Sequence, residues 1–366
     1  MATNFLSLTA PGVAGLQPYQ PGKPVEELER EYGVSNAIKL ASNENPLGPG
    51  KRALDAMRLA EQEVSRYPDG NGFNLKKILA DQLDVKRHHI TLGNGSSEIL
   101  ELVARTFVMP ENQVIFSQHA FAVYPILTQA VGAEAVVTPA KNWGHDLDAM
   151  RDAVTDRTRL IFVANPNNPT GTWLNSDQLY GFLASIPDHV LVLVDEAYFE
   201  FVEEEEYPNS INWIDEFPNL IVTRTFSKIH GLAGLRIGYG ISHSDIADLL
   251  NRVRQPFNSN SLALAAAEAA LLDSDHIKKS VEINSAGLRQ LMSAFEKMGL
   301  NYIPSVGNFI CVEFDQSGLE VYEALLHKGV IVRPVGVYGM PHHLRVTVGT
   351  EEENNRFIQA LGEVLS

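Results

Sequence analysis

Short apolar runs separated by helical patterns dominate the chain between residues 90 and 225. The runs predict strands at Ile90–Leu92, Val114–Phe116, Ala135–Val137, Leu160–Ala164, Val190–Val194 and Leu220–Thr225. Apolar residues recur at helical spacing between several of these strands, as in residues 96–107 and 176–186. Continuous apolar strands that alternate with helices indicate an α/β fold, with a mostly parallel central sheet and helices on both faces.

The pattern changes at both ends of this region. Residues 1–36 are rich in proline and glycine, and predict an extended arm with a short helix in 24–33. After residue 256 an Ala/Leu-rich helical segment leads to a second series of elements: helices at 286–299 and 319–329, strands at 309–314, 330–333 and 344–349, and a last helix. We therefore predict an arm (1–36) that packs on the small domain or a partner subunit, a large domain (37–255) and a small α/β domain (256–366).

Composition narrows the functional class. The 45% hydrophobic and 20% charged residues are typical of a globular protein, and no apolar run is long enough to span a membrane. The net charge of −16 argues against general nucleic-acid binding, although a local pocket for a small anion remains compatible with it. The single cysteine, Cys311, excludes an internal disulfide and a cysteine-based zinc site. With no recognisable secretory signal, these features predict a cytoplasmic location.

Residues that can bind ligands or take part in catalysis follow the predicted strands. The segments that follow them are 93-GNGSSE-98, 117-SQHAFAVYP-125, 165-NPNNPTG-171, 195-DEAYFEF-201 and Ser227-Lys228. Ligands of open α/β sheets bind outside the carboxyl ends of the strands, so we expect these segments to share one rim.

Each segment has an ordinary interpretation as well as a functional one. The glycine turn at 93–97 can bind a phosphate at a helix N-terminus, or simply begin a serine-capped helix. It is neither a Walker A loop nor a dinucleotide fingerprint. Asp195 ends an apolar strand, where a carboxylate needs a partner: a protonated ring nitrogen, a helix start or a salt bridge. Asn168 suits a turn, and Phe121 can stack on a flat ring or fill the core.

Two cations stand in the glycine-rich, apolar segment 225-TFSKIHGLAGLRIGYG-240. A lysine in a partly dry pocket beside a second cation has a lowered pKa and becomes a nucleophile that can form a Schiff base, which suits Lys228. Arg236 would supply the second cation and bind a phosphate. Together with Asp195, Phe121 and the 93–97 turn, these groups match the aldehyde, ring nitrogen and phosphate of pyridoxal 5′-phosphate (PLP).

The sequence also resembles a known family. The segments 165-NPNNPTG-171, 195-DEAY-198 and 226-FSKIHGLAGLRIGY-239 resemble fold-type I PLP-dependent aminotransferases. More narrowly, 17-QPYQPGKPVEEL-28, 40-LASNENPLGP-49, 66-RYPDG-70 and 343-HLRVTVGT-350 resemble histidinol-phosphate aminotransferases. The resemblance runs from about Gln17 to Thr350. It implies a PLP-binding large domain and a homodimer.

The resemblance implies roles for individual residues. Lys228 would hold PLP as a Schiff base and then move a proton between the substrate Cα and the cofactor. Asp195 would pair with the ring nitrogen, Tyr198 and Asn168 would bind the ring oxygen, and Phe121, often a tyrosine in the family, would stack on the ring. The residues around the cofactor phosphate would be Gly95, Ser96, Thr225, Ser227 and Arg236, with Tyr67 reaching across from the neighbouring subunit.

The resemblance also implies a substrate site and a reaction. Arg345 would bind the donor carboxylate, and the charged end of the amino partner would meet Tyr19, Asn43, Asn168, Arg333 and Arg345. Arg333 can instead be a surface cation, and Tyr19 a lid residue of the arm. The implied reaction is ping-pong transamination between L-histidinol phosphate and 2-oxoglutarate, giving imidazole-acetol phosphate and glutamate, in histidine biosynthesis.

Other functions remain open from the sequence alone. The 333–341 loop, with Tyr338 and Met340, is compatible with an aminotransferase for phenylalanine and tyrosine. A PLP-dependent threonine-phosphate decarboxylase shares much of the fold. A regulatory PLP-binding module would carry a DNA-binding domain or lack the catalytic lysine, and neither mark is seen. A nicotinamide dehydrogenase would carry the missing glycine fingerprint.

Overall fold

A computed structural model describes residues 4–366. The strands are β1 (Ile38–Lys39), β2 (Ile90–Gly93), β3 (Gln113–Ser117), β4 (Glu134–Thr138), β5 (Ala140–Lys141), β6 (Gly144–His145), β7 (Thr158–Ala164), β8 (Leu191–Asp195), β9 (Leu220–Thr225), β10 (Gly238–Ser242), β11 (Tyr302–Ile303), β12 (Phe309–Glu313), β13 (Val330–Ile331), β14 (Arg333–Pro334) and β15 (His343–Thr347). The helices are α1 (Val25–Tyr32), α2 (Lys51–Ala60), α3 (Phe73–Leu83), α4 (Ser96–Phe107), α5 (Val123–Ala130), α6 (Leu147–Asp152), α7 (Ser176–Ser185), α8 (Ser244–Val253), α9 (Ser261–Leu271), α10 (Ser274–Met298), α11 (Gly318–His327) and α12 (Glu351–Leu365).

The central sheet has seven strands in the order β2-β10-β9-β8-β7-β3-β4. All six strands that the apolar runs predict are present, and the neighbours from β9 to β4 pair in parallel. One core lies on the face covered by α3, α7 and α9, and a second lies on the face covered by α4, α5 and α8. The predicted α/β fold, with helices on both faces, is confirmed.

The antiparallel strand β10 was not predicted, because its sequence GYGIS suggests a loop. Its glycines allow α4 to approach the sheet closely. A Cβ at Gly238 would lie 2.4 Å from the backbone nitrogen of Ser96, and a Cβ at Gly240 would lie 2.8 Å from Ile99 Cγ2. The missing side chains therefore let the N-terminus of α4 lie against the sheet, beside the ends of the central strands.

The C-terminal part has a four-stranded sheet in the order β11-β12-β15-β14. Its core includes Phe295 from α10, Val312 from β12 and Phe357 from α12. The predicted strand at 330–333 is divided in two, because β13 pairs with β1 whereas β14 pairs with β15. Helix α10 begins at Ser274, well before the predicted 286.

The N-terminal arm contacts the C-terminal part of the same chain. Leu28 of α1 is fully buried and packs with Leu326 and Ile331. The boundaries of arm, large domain and small domain remain predictions. In the described residues, every helix is too short or too polar to cross a membrane.

Candidate active site

A cavity of about 250 Å³ lies where the carboxyl ends of β7, β8 and β9 meet the start of α4. Its lining contains most of the predicted site residues, from Tyr19 to Arg345. A larger cleft of about 830 Å³, between the β5–β6 hairpin, α6 and α7, contains none of them. Chemistry, rather than size, therefore identifies the smaller cavity as the candidate active site.

Lys228 follows β9 and points into this cavity. Its Nζ donates a hydrogen bond to the carbonyl oxygen of Ser42 at 3.0 Å. Burial lowers the pKa of Lys228 to about 7, and the positive charges of Arg345 and Arg236 act in the same direction, while Glu44 opposes them. A large share of this amine is therefore neutral near pH 7, as a nucleophile requires.

Asp195 ends β8 with its side chain buried beside the same cavity. Its Oδ2 accepts a hydrogen bond from the Tyr124 hydroxyl at 3.0 Å, and its Oδ1 accepts one from Thr223 Oγ1 at 3.2 Å. Burial raises the pKa of Asp195 to about 6, although both hydrogen bonds act in the opposite direction. No cation of residues 4–366 forms an ion pair with it, so the salt-bridge interpretation is wrong.

Hydroxyl groups, a guanidinium and a helix N-terminus gather at another part of the cavity. Arg236 Nη1 donates to Ser227 Oγ at 3.3 Å, and the Ser227 backbone nitrogen donates to Thr225 Oγ1 at 3.1 Å. Gly95 precedes α4 with a φ of +79°, and a Cβ there would lie 2.4 Å from Arg236 Nη2. Ser96 lines the cavity and makes no cap, so the serine-capped helix is wrong.

The setting of Arg236 differs from the expectation in one respect. The sequence suggested a cation in dry, apolar surroundings, yet its side chain is exposed. Its backbone is also left-handed, with φ +56° and ψ +64°. An arginine adopts this conformation at a cost of about 1–3 kcal/mol, which surrounding structure or function must offset.

A third group of side chains lies where the C-terminal sheet meets the cavity. Arg345 Nη1 donates to Asn168 Oδ1, and its Nη2 donates to the carbonyl oxygen of Ala41 at 2.6 Å. Asn43 Nδ2 donates to the Tyr198 hydroxyl at 2.9 Å. Within the described residues, the buried Nε of Arg345 has no acceptor, so this guanidinium can take another anionic partner.

The aromatic and arm residues occupy separate positions. Phe121 lines the cavity, with its ring 5.8 Å from that of Tyr124 in an edge contact. Tyr19 also lines it, and the Arg333 guanidinium lies 5.5 Å from the Tyr19 ring. Arg333 is 8% exposed and donates to the Gln20 carbonyl oxygen at 2.7 Å, so the surface-cation interpretation is wrong. It supports the arm without lining the cavity.

Tyr67 is not brought to the cavity within one chain. It is 83% exposed, and its ring stacks on Phe257 with centroids 4.6 Å apart. Its role at the cofactor of a neighbouring subunit remains a prediction.

Several lining residues were not predicted from the sequence. They include Ser42, Glu44 and Tyr124, and Thr223 contacts Asp195 from the next strand. Strand alternation could have identified Thr223, because it shares a face of β9 with Thr225. Tyr124 is one of the two aromatic residues after β3, but only the packing of α5 shows that its hydroxyl faces Asp195.

The donor set fits PLP. Asp195, a buried carboxylate that forms no ion pair within residues 4–366, suits the ring nitrogen. Lys228, an amine with a lowered pKa, suits the aldehyde, and the hydrogen-bond donors around Arg236 and Ser227 suit the phosphate. Residues 35–361 match the family described as aminotransferase class I and II, and the chain belongs to this family.

Comparison with individual proteins narrows the family. Histidinol-phosphate aminotransferase 1 of Nitrosococcus oceani is 62% identical over 99% of this chain and 98% of its own. Histidinol-phosphate aminotransferase 2 of Pseudomonas fluorescens strain Pf0-1 is 57% identical over 100% of both chains. The crystal structure of histidinol-phosphate aminotransferase from Sinorhizobium meliloti, in complex with PLP, superimposes with a TM-score of 0.91, at 28% identity and 98% coverage of each chain. Within the aminotransferases, the chain belongs to the histidinol-phosphate aminotransferases.

Proposed function

We propose that the protein uses PLP to transfer an amino group between L-histidinol phosphate and 2-oxoglutarate, in histidine biosynthesis. The observation that carries the proposal is one cavity that contains Lys228, with a pKa of about 7, together with Asp195 and Arg236. The full-length identity of 62% to a histidinol-phosphate aminotransferase supports the choice of substrate.

The cofactor, when bound, supplies an aldehyde for the amino group and a ring that delocalises the electron pair left at the substrate Cα. Lys228 would hold the aldehyde end, and its amine would also move the proton at the substrate Cα. Its lowered pKa suits this exchange, because proton transfer is most efficient when the pKa of the catalytic group is near the working pH. Asp195 would stabilise a positive charge on the ring nitrogen, and that charge would in turn favour the ionised form of the Asp195 carboxylate.

The other residues of the cavity bind and orient the cofactor and the substrate. Arg236, Ser227, Thr225 and the start of α4 bind the cofactor phosphate through charge-assisted hydrogen bonds. We assign the glutamate carboxylate to Arg345, because its guanidinium is buried and has a free Nε within the described structure.

Asn168 contacts Arg345, and the Tyr198 ring lies 5.6 Å from Lys228 Nζ, so both line the cavity where they can orient the ring oxygen. Tyr19, supported by Arg333, covers one side of the cavity and helps to exclude water from it. Asn43 fixes the Tyr198 hydroxyl.

The aromatic-substrate alternative loses its specific support. Tyr338 and Met340 are buried in a cluster with Ile303 and Cys311, and neither lines the cavity. We also propose a homodimer in which Tyr67 reaches the partner's cofactor, since its exposed ring stacks with Phe257 at the surface. The cytoplasmic location remains a prediction.

The test is a set of half-reactions with the PLP-loaded enzyme. L-Histidinol phosphate should convert the cofactor to its aminated form much faster than phenylalanine does, and threonine phosphate should lose no carbon dioxide. Lys228→Ala should abolish turnover and leave no cofactor that borohydride can fix to the protein. Full turnover by this variant, or a preference for phenylalanine, would contradict the proposal.

A further inference from the structure

A buried ion pair lies directly behind Asp195. Arg224 donates to Glu196 Oε2 from both Nε, at 2.9 Å, and Nη2, at 2.7 Å. The side chains are 3% and 0% exposed. Arg224 stands between Thr223 and Thr225 on β9, and Glu196 follows Asp195. Since side chains alternate along a strand, the pair lies on the sheet face opposite Thr223 and Thr225.

The pair is well bonded to its surroundings. Glu196 Oε1 accepts from the backbone nitrogen of Ser210 at 3.1 Å, and Arg224 Nη2 also donates to Asn209 Oδ1 at 2.6 Å. The Phe199 ring lies 3.4 Å from the Arg224 guanidinium carbon. These contacts fasten the segment 199–210 to the ends of β8 and β9.

The same region fixes the backbone of Asp195 itself. The carbonyl oxygen of Asp195 accepts from the Asn165 backbone nitrogen at 3.0 Å, and the Glu196 nitrogen donates to the Thr223 carbonyl oxygen at 2.9 Å. The Tyr207 hydroxyl donates to the Asn165 carbonyl oxygen, so the end of β7 is tied to this region as well.

A gain in folding stability does not by itself explain why the protein contains this buried ion pair. Desolvation of two charges costs about as much as their attraction returns, and apolar replacements of buried pairs are often neutral or stabilising. The location of the pair suggests a functional reason instead: Glu196 is next to Asp195, and Arg224 stands between Thr225, which lines the cavity, and Thr223, which donates to Asp195.

We propose that the Arg224–Glu196 pair is a positioning element for Asp195, which fixes the direction of its carboxylate and balances the charge behind it. The proposal rests on the proposed role of Asp195 at the ring nitrogen. Arg224 and Glu196 act through Asp195 and lie outside the cavity lining.

Glu196 and Arg224 should shift the pKa of Asp195 in opposite directions. The negative charge of Glu196 disfavours ionisation of Asp195, and Arg224 cancels that charge. The other ionisable groups close to Asp195 are Tyr124, Tyr198, Tyr207 and Lys228. The three tyrosines have raised pKa values, so none of them changes charge at neutral or acidic pH. The buried Glu200 lies close to the pair and, like Lys228, has a pKa of about 7, so both groups titrate in the pH range of the experiment. The double variant, in which both charges of the pair are absent, is the reference for their contribution.

The experiment measures how much cofactor each PLP-loaded variant retains between about pH 5 and pH 8, from the visible absorbance after dialysis. Glu196→Gln removes the negative charge and keeps one of the two acceptor oxygens, so it should retain PLP to lower pH than the wild type. The pH at which PLP is lost should fall by about one unit, because a nearby unit charge shifts a pKa by about that amount. Arg224→Met should lose PLP at higher pH, and the double variant should return close to the wild-type profile.

A matched control separates positioning from general loosening. Val222→Ala opens a cavity two residues away on β9 and leaves both charges of the pair in place. If Glu196→Gln behaves like this control, or moves in the same direction as Arg224→Met, the proposal is wrong. If Arg224→Met does not fold, Glu196→Gln and the double variant still decide the matter.

Asp195→Asn distinguishes failure of the inference from failure of the proposed function. This variant should retain PLP weakly and without the acidic transition. A wild-type profile for Asp195→Asn would overturn the role of Asp195 itself. A different outcome would overturn only the positioning role of Arg224 and Glu196. In that outcome Asp195→Asn loses the acidic transition in PLP retention, but the variants of the pair behave like Val222→Ala.

Discussion

Lys228 should destabilise the protein when PLP is absent. Burial and two arginines favour the neutral form of Lys228 and lower its pKa from 10.5 to about 7. An unfolded chain returns the amine to water and to its ordinary pKa. Between about pH 7 and pH 10.5 the unfolded state therefore binds more protons, and stability rises with pH across this window. Replacement by the neutral methionine removes this effect.

The magnitude follows from the same values. A fall in the lysine pKa from 10.5 to about 7 corresponds to about 5 kcal/mol, an upper value because the side chain is only half-buried and partly screened by water. The penalty is complete below about pH 7 and absent above about pH 10.5. We expect the stability gained by Lys228→Met to be about 1–2 kcal/mol smaller at pH 9 than at pH 7.

The assay is urea unfolding of the two PLP-free proteins at both pH values. The variant also leaves the Ser42 carbonyl oxygen without its lysine donor, but that loss does not depend on pH and cancels in the comparison. Lys77→Met, at an exposed position, is the control and should show almost no pH-dependent difference. A difference for Lys228→Met that stays constant with pH, or that grows towards pH 9, would refute the reasoning.

Three further predictions concern ligand binding. Gly95→Ala should weaken PLP binding at least tenfold, about 1.4 kcal/mol, because a Cβ strains the positive-φ backbone and pushes the Arg236 guanidinium out of its place in the phosphate site. Gly234→Ala, which meets nothing within 4 Å, should bind normally in the same absorbance titration. Arg345→Lys should raise the glutamate KM about tenfold in steady-state kinetics, because lysine cannot keep the forked contacts, and an unchanged KM would reject the carboxylate role. Tyr67→Phe should weaken PLP binding only in a dimer, so a protein that sediments as a monomer with unchanged affinity would contradict the subunit-sharing proposal.

Much of the fold was readable from the apolar pattern. Six strands of the central sheet (β2, β3, β4, β7, β8 and β9) were predicted within two residues at each end, because they are short continuous apolar runs, whereas the short hairpin strands β5 and β6 were not predicted. Strand β10 was missed because its glycines, which carry no pattern, serve a close contact with α4. The division of 330–334 between two sheets was also invisible, since it depends on which distant strand each half meets.

The sequence by itself determined the chemical groups of the site and their order along the chain. Lys228, Asp195 and Arg236 follow from residue type, position after a strand, and resemblance to aminotransferases. The tertiary structure alone decided their surroundings: the hydroxyl of Tyr124 on Asp195, the burial that lowers the pKa of Lys228, and the Arg224–Glu196 pair behind the sheet. These features depend on contacts between residues that are 28 to 186 positions apart along the chain. A local sequence pattern cannot specify such contacts, because burial and charge act through space.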